Sequence, residues 1–158
     1  MSCDFREERD SLGTVEVPIL SYYGAHTKRA LQNFPPTGEP VPTIFWQALA
    51  WVKKAAAAAN KTLKYLSQEK FLAIAQACDE ISDGRWHAEL VVEFSAGGAG
   101  TSLNMNINEV VSNRATEILG GKLGEYQISP LDEANLYQST NDVVPTALKV
   151  ACLKELQK

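Results

Sequence analysis

No run of the roughly 20 apolar residues needed to span a bilayer occurs in this chain. Its first ten residues are too charged to form the core of a signal peptide. Both absences exclude a membrane as a partner and lead us to expect a cytoplasmic protein. Cysteine is scarce: Cys3, Cys78 and Cys152 are odd in number, widely spaced and form no Cys-x-x-Cys pair, which argues against a disulfide framework or a zinc site. Cys78 reads as a small buried apolar residue. There is no excess of basic charge. The net charge of −4 and pI near 5.2 exclude a general nucleic-acid binder. The chain has no nucleophile elbow, no dinucleotide fingerprint in a strand-to-helix setting and no Gly-Lys-Ser/Thr phosphate loop. Its two histidines, His26 and His87, read as structural or exposed rather than catalytic.

What is present is enough for one core. A chain of 158 residues, 45% apolar and 22% charged, has the composition of an ordinary globular domain. The pattern predicts a mainly α-helical domain with minor β structure near the N-terminus. Leu12, Val15 and Val17 around Gly13 predict a short hairpin over residues 6–17, ended by Pro18. Tyr22 to Phe34 reads as a short helix stopped by Pro35-Pro36, and the loop to Pro42 follows. Thr43 is the expected N-cap of a long helix. Phe45, Ala48, Leu49, Val52, Ala55, Ala56, Ala59, Leu63 and Leu66 form its apolar stripe. On that phase Lys53, Lys54, Lys61 and Lys64 fall on a solvated face. Ser67 caps a further helix, striped by Phe71, Leu72, Ile74, Ala75, Cys78 and Ile81 and ended by Gly84. Leu90 to Phe94 is an apolar run of undetermined type. Residues 122–138 are irregular. A last helix, capped by Asn141 or Asp142 with Pro145 in its first turn, continues through Val150, Leu153 and Leu156 and is expected to project from the domain.

The segment from Gly97 to Arg114 stands out. A glycine-rich loop leads into a helix with an apolar stripe (Leu103, Ile107, Val110, Val111, Ile118, Leu119), yet that helix carries Asn104, Asn106, Asn108 and Asn113. Asparagine is a poor helix former because its amide competes for backbone groups. The pattern points to a site or to buried polar contacts. Gln138-Ser139-Thr140-Asn141-Asp142 also leads into a helix start. A helix N-terminus attracts anions, and Thr101, Ser139, Thr140 and Asn141 add neutral donors suited to a carboxylate. Plain capping is the alternative at each segment. If the two starts meet in space, they form a grip for a small dicarboxylic or amino acid.

Gly98-Ala-Gly-Thr-Ser-Leu-Asn-Met-Asn-Ile-Asn-Glu-Val-Val-Ser-Asn-Arg-Ala115 resembles a signature segment of the aspartase/fumarase superfamily. Arg9 to Pro18, Tyr22 to Ala30 and Asn33-Phe-Pro are similar to its N-terminal portion. Gln138-Ser-Thr-Asn-Asp142 with Pro145-Thr146 resembles another of its active-site segments. Ala99, Thr140 and Gly124-Glu-Tyr-Gln127 are aspartase-like. Ser129 and Leu131 depart from the fumarase pattern and put an accessory dicarboxylate site in doubt.

The resemblance implies elimination of ammonia from L-aspartate to give fumarate, with no organic cofactor; the residues themselves show no metal-ligating cluster, so no metal is assigned. It implies that Thr101, Ser139 and Thr140 bind the β-carboxylate, and that Asn141 with Thr101 holds the amino group. The family's general-base serine loop, Gly-Ser-Ser-x-Met-Pro-x-Lys-x-Asn, does not occur here, so no catalytic base is assigned. The chain is therefore expected to be an N-terminal portion, inactive alone, of a homotetrameric enzyme. Residues 1–138 would form its N-terminal domain and 139–158 the start of a helical-bundle domain. A class II fumarate hydratase and a non-catalytic helical interaction module are the alternatives.

Overall fold

The computed structural model, which describes residues 4–157, is a helical domain with a two-stranded antiparallel hairpin at one edge. Strands β1 (Phe5–Asp10) and β2 (Gly13–Pro18) pair Asp10 with Gly13 and Phe5 with Pro18. Opposite residues share a face, so Arg6 and Glu8 lie on the side of Val17 and Val15, which packs on α1 (Ala25–Asn33). The buried Glu8 carboxylate accepts from Arg6, from the Ala25 N–H and from the Tyr126 hydroxyl. This ties the hairpin to the start of α1 and to the loop beyond residue 120. The helix starts three residues later than the Tyr22 the pattern gave. Beside the Ala25 N–H held by Glu8, the N–H groups of Gly24, His26 and Thr27 at the helix start are all taken by the Glu109 carboxylate. Cys3 lies outside the described residues.

Helix α2 (Thr43–Thr62) is as long as expected, but two details differ. Its N-cap is Pro42, and Thr43 is the first helical residue, with no side-chain cap. Its buried face runs through Trp46, Leu49, Ala50, Lys53, Ala57 and Asn60, while Ala55 and Ala59 are exposed. The physical reason is the alanine run. Five consecutive alanines present methyl groups on every side, so apolar periodicity there does not define a phase. Lys53 is thus buried, against the expected solvated face, while Lys54 forms an ion pair with Asp79 at the surface.

Helix α3 (Gln68–Ser82) is capped by Ser67, whose hydroxyl accepts from the Lys70 N–H, and it ends before Gly84. Ala73 and Ala77 take the inner positions, and Leu72 is exposed. After a short 3₁₀ turn at His87–Glu89, Leu90 to Phe94 is irregular, with Leu90 and Val92 buried.

Helix α4 (Thr101–Ile118) is the centre of the domain. From Leu103 to Asn113 every residue is buried, so the expected stripe is instead a helix enclosed on all sides. Gly120 follows its end.

Helix α5 (Thr140–Leu156) is capped by Ser139, not by Asn141 or Asp142. The Ser139 hydroxyl accepts from the Asn141 N–H. Pro145 consequently stands inside the helix, beyond its first turn. Rather than projecting, α5 packs along α2 through Val143, Ala147 and Ala151, and it is exposed beyond that residue. Among the described residues no helix is long and apolar enough to cross a membrane.

Candidate functional site

The loop before α4 is shaped for close approach. Gly98, Ala99 and Gly100 all have positive φ. Gly100 is the N-cap of α4 at φ 85°, and a Cβ there would stand 3.1 Å from the Val144 Cγ1 in the second turn of α5. Only glycine fits both the backbone and the gap. The two helix starts therefore meet in space.

Asn104, one turn into α4, bridges them. Its amide nitrogen donates to the Thr140 hydroxyl at 3.1 Å and to the Asn135 side-chain oxygen at 3.1 Å. Because the Thr140 oxygen accepts this bond, its own hydrogen remains available for a ligand. Thr101, Ser139 and Asn141 are exposed at the two helix starts, and Thr140 is half-buried. Among the described residues the side chains of Thr101 and Asn141 make no hydrogen bond. The structure thus brings together the two helix starts that carry all four expected residues. The positive ends of the two helix dipoles add a potential that neutral hydroxyls and amides can direct onto a carboxylate, while the Thr101 and Asn141 N–H groups are themselves taken by the Gly98 carbonyl and the Ser139 hydroxyl.

The remaining asparagines are internal fixtures. Asn106 donates to the Glu89 carbonyl and accepts from the Val92 N–H. Asn113 donates to the Tyr22 carbonyl and accepts from the Gly124 N–H. Asn108 meets only the Met105 sulfur, and its side-chain oxygen is buried without a partner, as is that of Asn104.

Sequence reasoning missed two residues that hold this region. Lys53 is 0% exposed, and its ammonium donates to the side-chain oxygens of Asn135 (3.3 Å) and Gln138 (3.2 Å). Burial draws its pKa down to about 7, opposed only by the neighbouring Cys78. Asn60, two turns on, donates to the Leu136 carbonyl. Both anchor the segment that delivers Gln138 and Ser139. Lys53 and Asn60 keep phase with Trp46, Leu49, Ala50 and Ala57, but the alanine run leaves that phase undefined in the sequence.

Other charged groups build structure. The Arg114 guanidinium holds Glu80 down at about 2 with help from the Trp86 N–H, and Arg114 stacks over the Trp86 ring. His87 is bonded to the Ile81 carbonyl, and His26 is exposed. Among the described residues no group of three His, Cys, Asp or Glu side chains is placed to hold a metal ion.

Comparison with known proteins gives one family model, described as Lyase, that matches residues 13–158. The aspartate ammonia-lyase of Bacillus subtilis is 49% identical over 156 residues, covering 98% of this chain and 33% of that protein. The class II fumarate hydratase of Halobacterium salinarum is 47% identical over 156 residues, covering 99% of this chain and 33% of that protein. The crystal structure of a fumarate lyase:delta crystallin from Brucella melitensis superposes with a TM-score of 0.94 at 47% identity, covering 98% of this chain and 36% of that one. The chain spans about a third of the length of the curated relatives it matches.

Proposed function

The chain belongs to the lyase family of the aspartase/fumarase superfamily, and from that premise we propose that the protein carrying it is an aspartate ammonia-lyase, converting L-aspartate to fumarate and ammonia. The observation that carries this reading is the meeting of the two helix starts, with Gly100 against Val144 and Asn104 bonded to Thr140.

In this reading Thr101, Ser139 and Thr140 hold the β-carboxylate, and Asn141 with Thr101 holds the amino group. A base removes a proton from the carbon next to the β-carboxylate. The electron pair moves into that carboxylate, which gains aci-carboxylate charge, and the bond to nitrogen then breaks to release ammonia. Donors set for the more highly charged form stabilise the transition state more than the substrate. The substrate's own carboxylate is the electron sink, so the step calls for no organic cofactor. The base itself belongs to a segment outside these 158 residues. The enzyme is read as a cytoplasmic homotetramer, and these 158 residues alone as inactive.

A second reading, a class II fumarate hydratase, has support in the near-equal identity to the Halobacterium salinarum protein. Ala99 and Thr140, where fumarases usually carry serine, favour the first. The full-length protein, assayed for ammonia release from L-aspartate and for water addition to fumarate, separates the two. Ammonia release is expected; malate formation without it would establish the hydratase. Inactivity in both assays would leave the non-catalytic helical module in their place.

A further inference from the structure

A lysine with no accessible surface needs a reason, because removing an ammonium from water is costly unless it is paired. Among the described residues Lys53 has no carboxylate partner, only two amide oxygens. Those amides belong to the segment that carries the substrate-binding residues. Asn135 accepts from Lys53 and Asn104 on the same oxygen, and its own nitrogen donates to the Gln138 carbonyl at 2.9 Å. Gln138 accepts from Lys53 and donates to the Ala134 carbonyl. With Asn135 Oδ1 facing two donors, the Asn104 amide has its nitrogen directed both to Asn135 and to Thr140. The Thr140 oxygen must then accept, and its hydrogen is left free for another acceptor. The chain of contacts is continuous from Lys53 on α2 to Thr140 at the start of α5.

We propose that Lys53 is a positioning residue of the substrate site: its buried ammonium, acting through Asn135 and Asn104, sets the Thr140 hydroxyl as a donor to the substrate carboxylate. The role rests on the lyase reading, in which Thr140 touches that carboxylate. The groups facing Lys53 make it the variable charge of this network. From α3 the Cys78 thiol faces it, pushed up to about 12 by its own burial. From the 130–138 segment come the amides of Asn135 and Gln138, while Glu133 pairs with Lys70. Asp79 is held by Lys54, and the charged side chains of α5, Asp142, Lys149, Lys154 and Glu155, lie on its exposed side.

The test compares Lys53→Met, Thr140→Val and the double variant in the full-length enzyme. Lys53→Met is expected to lower kcat for L-aspartate by roughly 10- to 100-fold, with a thermal midpoint at or above that of the wild type. Combined with Thr140→Val it should cost nothing further, since both changes act through one hydroxyl. Full activity in Lys53→Met, or additive losses in the double variant, overturns the proposal. Should Lys53→Met fail to fold, nitrogen NMR of the unmutated chain decides. The Lys53 amine and the side-chain amides of Asn135 and Asn104 should shift together with a midpoint near pH 7; amides that ignore the Lys53 titration overturn the network. Wild-type enzyme that releases no ammonia refutes the lyase reading alone, and the same amide titration then stands for or against the network.

Discussion

At the residue scale, Lys53 and Glu80 both make stability rise with pH, in separate windows. Burial draws the Lys53 pKa down from 10.5 to about 7. Between those values the unfolded chain binds a proton that the native chain does not, so stability rises with pH across that window. The slope is at most about 1.4 kcal/mol per pH unit. Below pH 7 both states are protonated, and the full cost of the buried charge is felt. Glu80 acts in the same direction at lower pH. Arg114 holds it at about 2, below its ordinary 4.5, so its contribution is present above pH 4.5 and lost as pH falls toward 2. Urea unfolding from pH 3 to pH 9 checks the rise in both windows. Lys53→Met should flatten the upper limb, and Glu80→Gln should flatten the lower one and destabilise the fold at neutral pH by on the order of 2 kcal/mol.

At the element scale, the junction of α4 and α5 depends on Gly100. Gly100→Ala places a Cβ on a left-handed backbone and 3.1 Å from Val144. A loss of about 1–3 kcal/mol is expected, with a larger proportional loss of activity as the helix starts move apart. Thermal unfolding and turnover of the same variant measure the two effects. Ser139→Ala removes the α5 cap and should cost about 1 kcal/mol.

Most elements were legible because punctuation marks them: Gly13 in the hairpin, Pro35-Pro36, Ser67, Gly84 and Gly120-Gly121. The phase of α2 was not, because alanines 55–59 carry no facing preference, and the burial of Lys53 is decided by Asn135 and Gln138 far along the chain. The cap of α5 was misplaced by two or three residues because Ser139, Asn141 and Asp142 are all competent N-caps. The approach of the helix starts that carry Thr101 and the Ser139–Asn141 segment was raised in advance as a condition, not as a result. Asn104 was read only as one of four asparagines pointing to a site or to buried polar contacts. Which hydroxyl it orients is a tertiary fact, set by the approach of α5 to the α4 start.

At the scale of the whole molecule, α5 leaves Leu148, Leu153 and Leu156 exposed. Leu148 helps line an apolar groove of about 590 Å³ with Pro42, Ile44, Phe45 and Phe94. Exposed apolar surface of this kind favours association. Light scattering across a concentration series should show the 158-residue chain self-associating, and Leu153→Lys with Leu156→Lys should restore a monomer. A wild-type chain monomeric at high concentration would count against that expectation.

The central claim is that two helix starts, joined through Asn104 and Thr140, grip a carboxylate for ammonia elimination. The most direct test is kcat/KM for ammonia release from L-aspartate by the full-length protein and its Thr140→Val variant. The account predicts measurable turnover in the wild type and a loss of roughly 100-fold or more in the variant. Turnover that survives the loss of the Thr140 hydroxyl unchanged would contradict it.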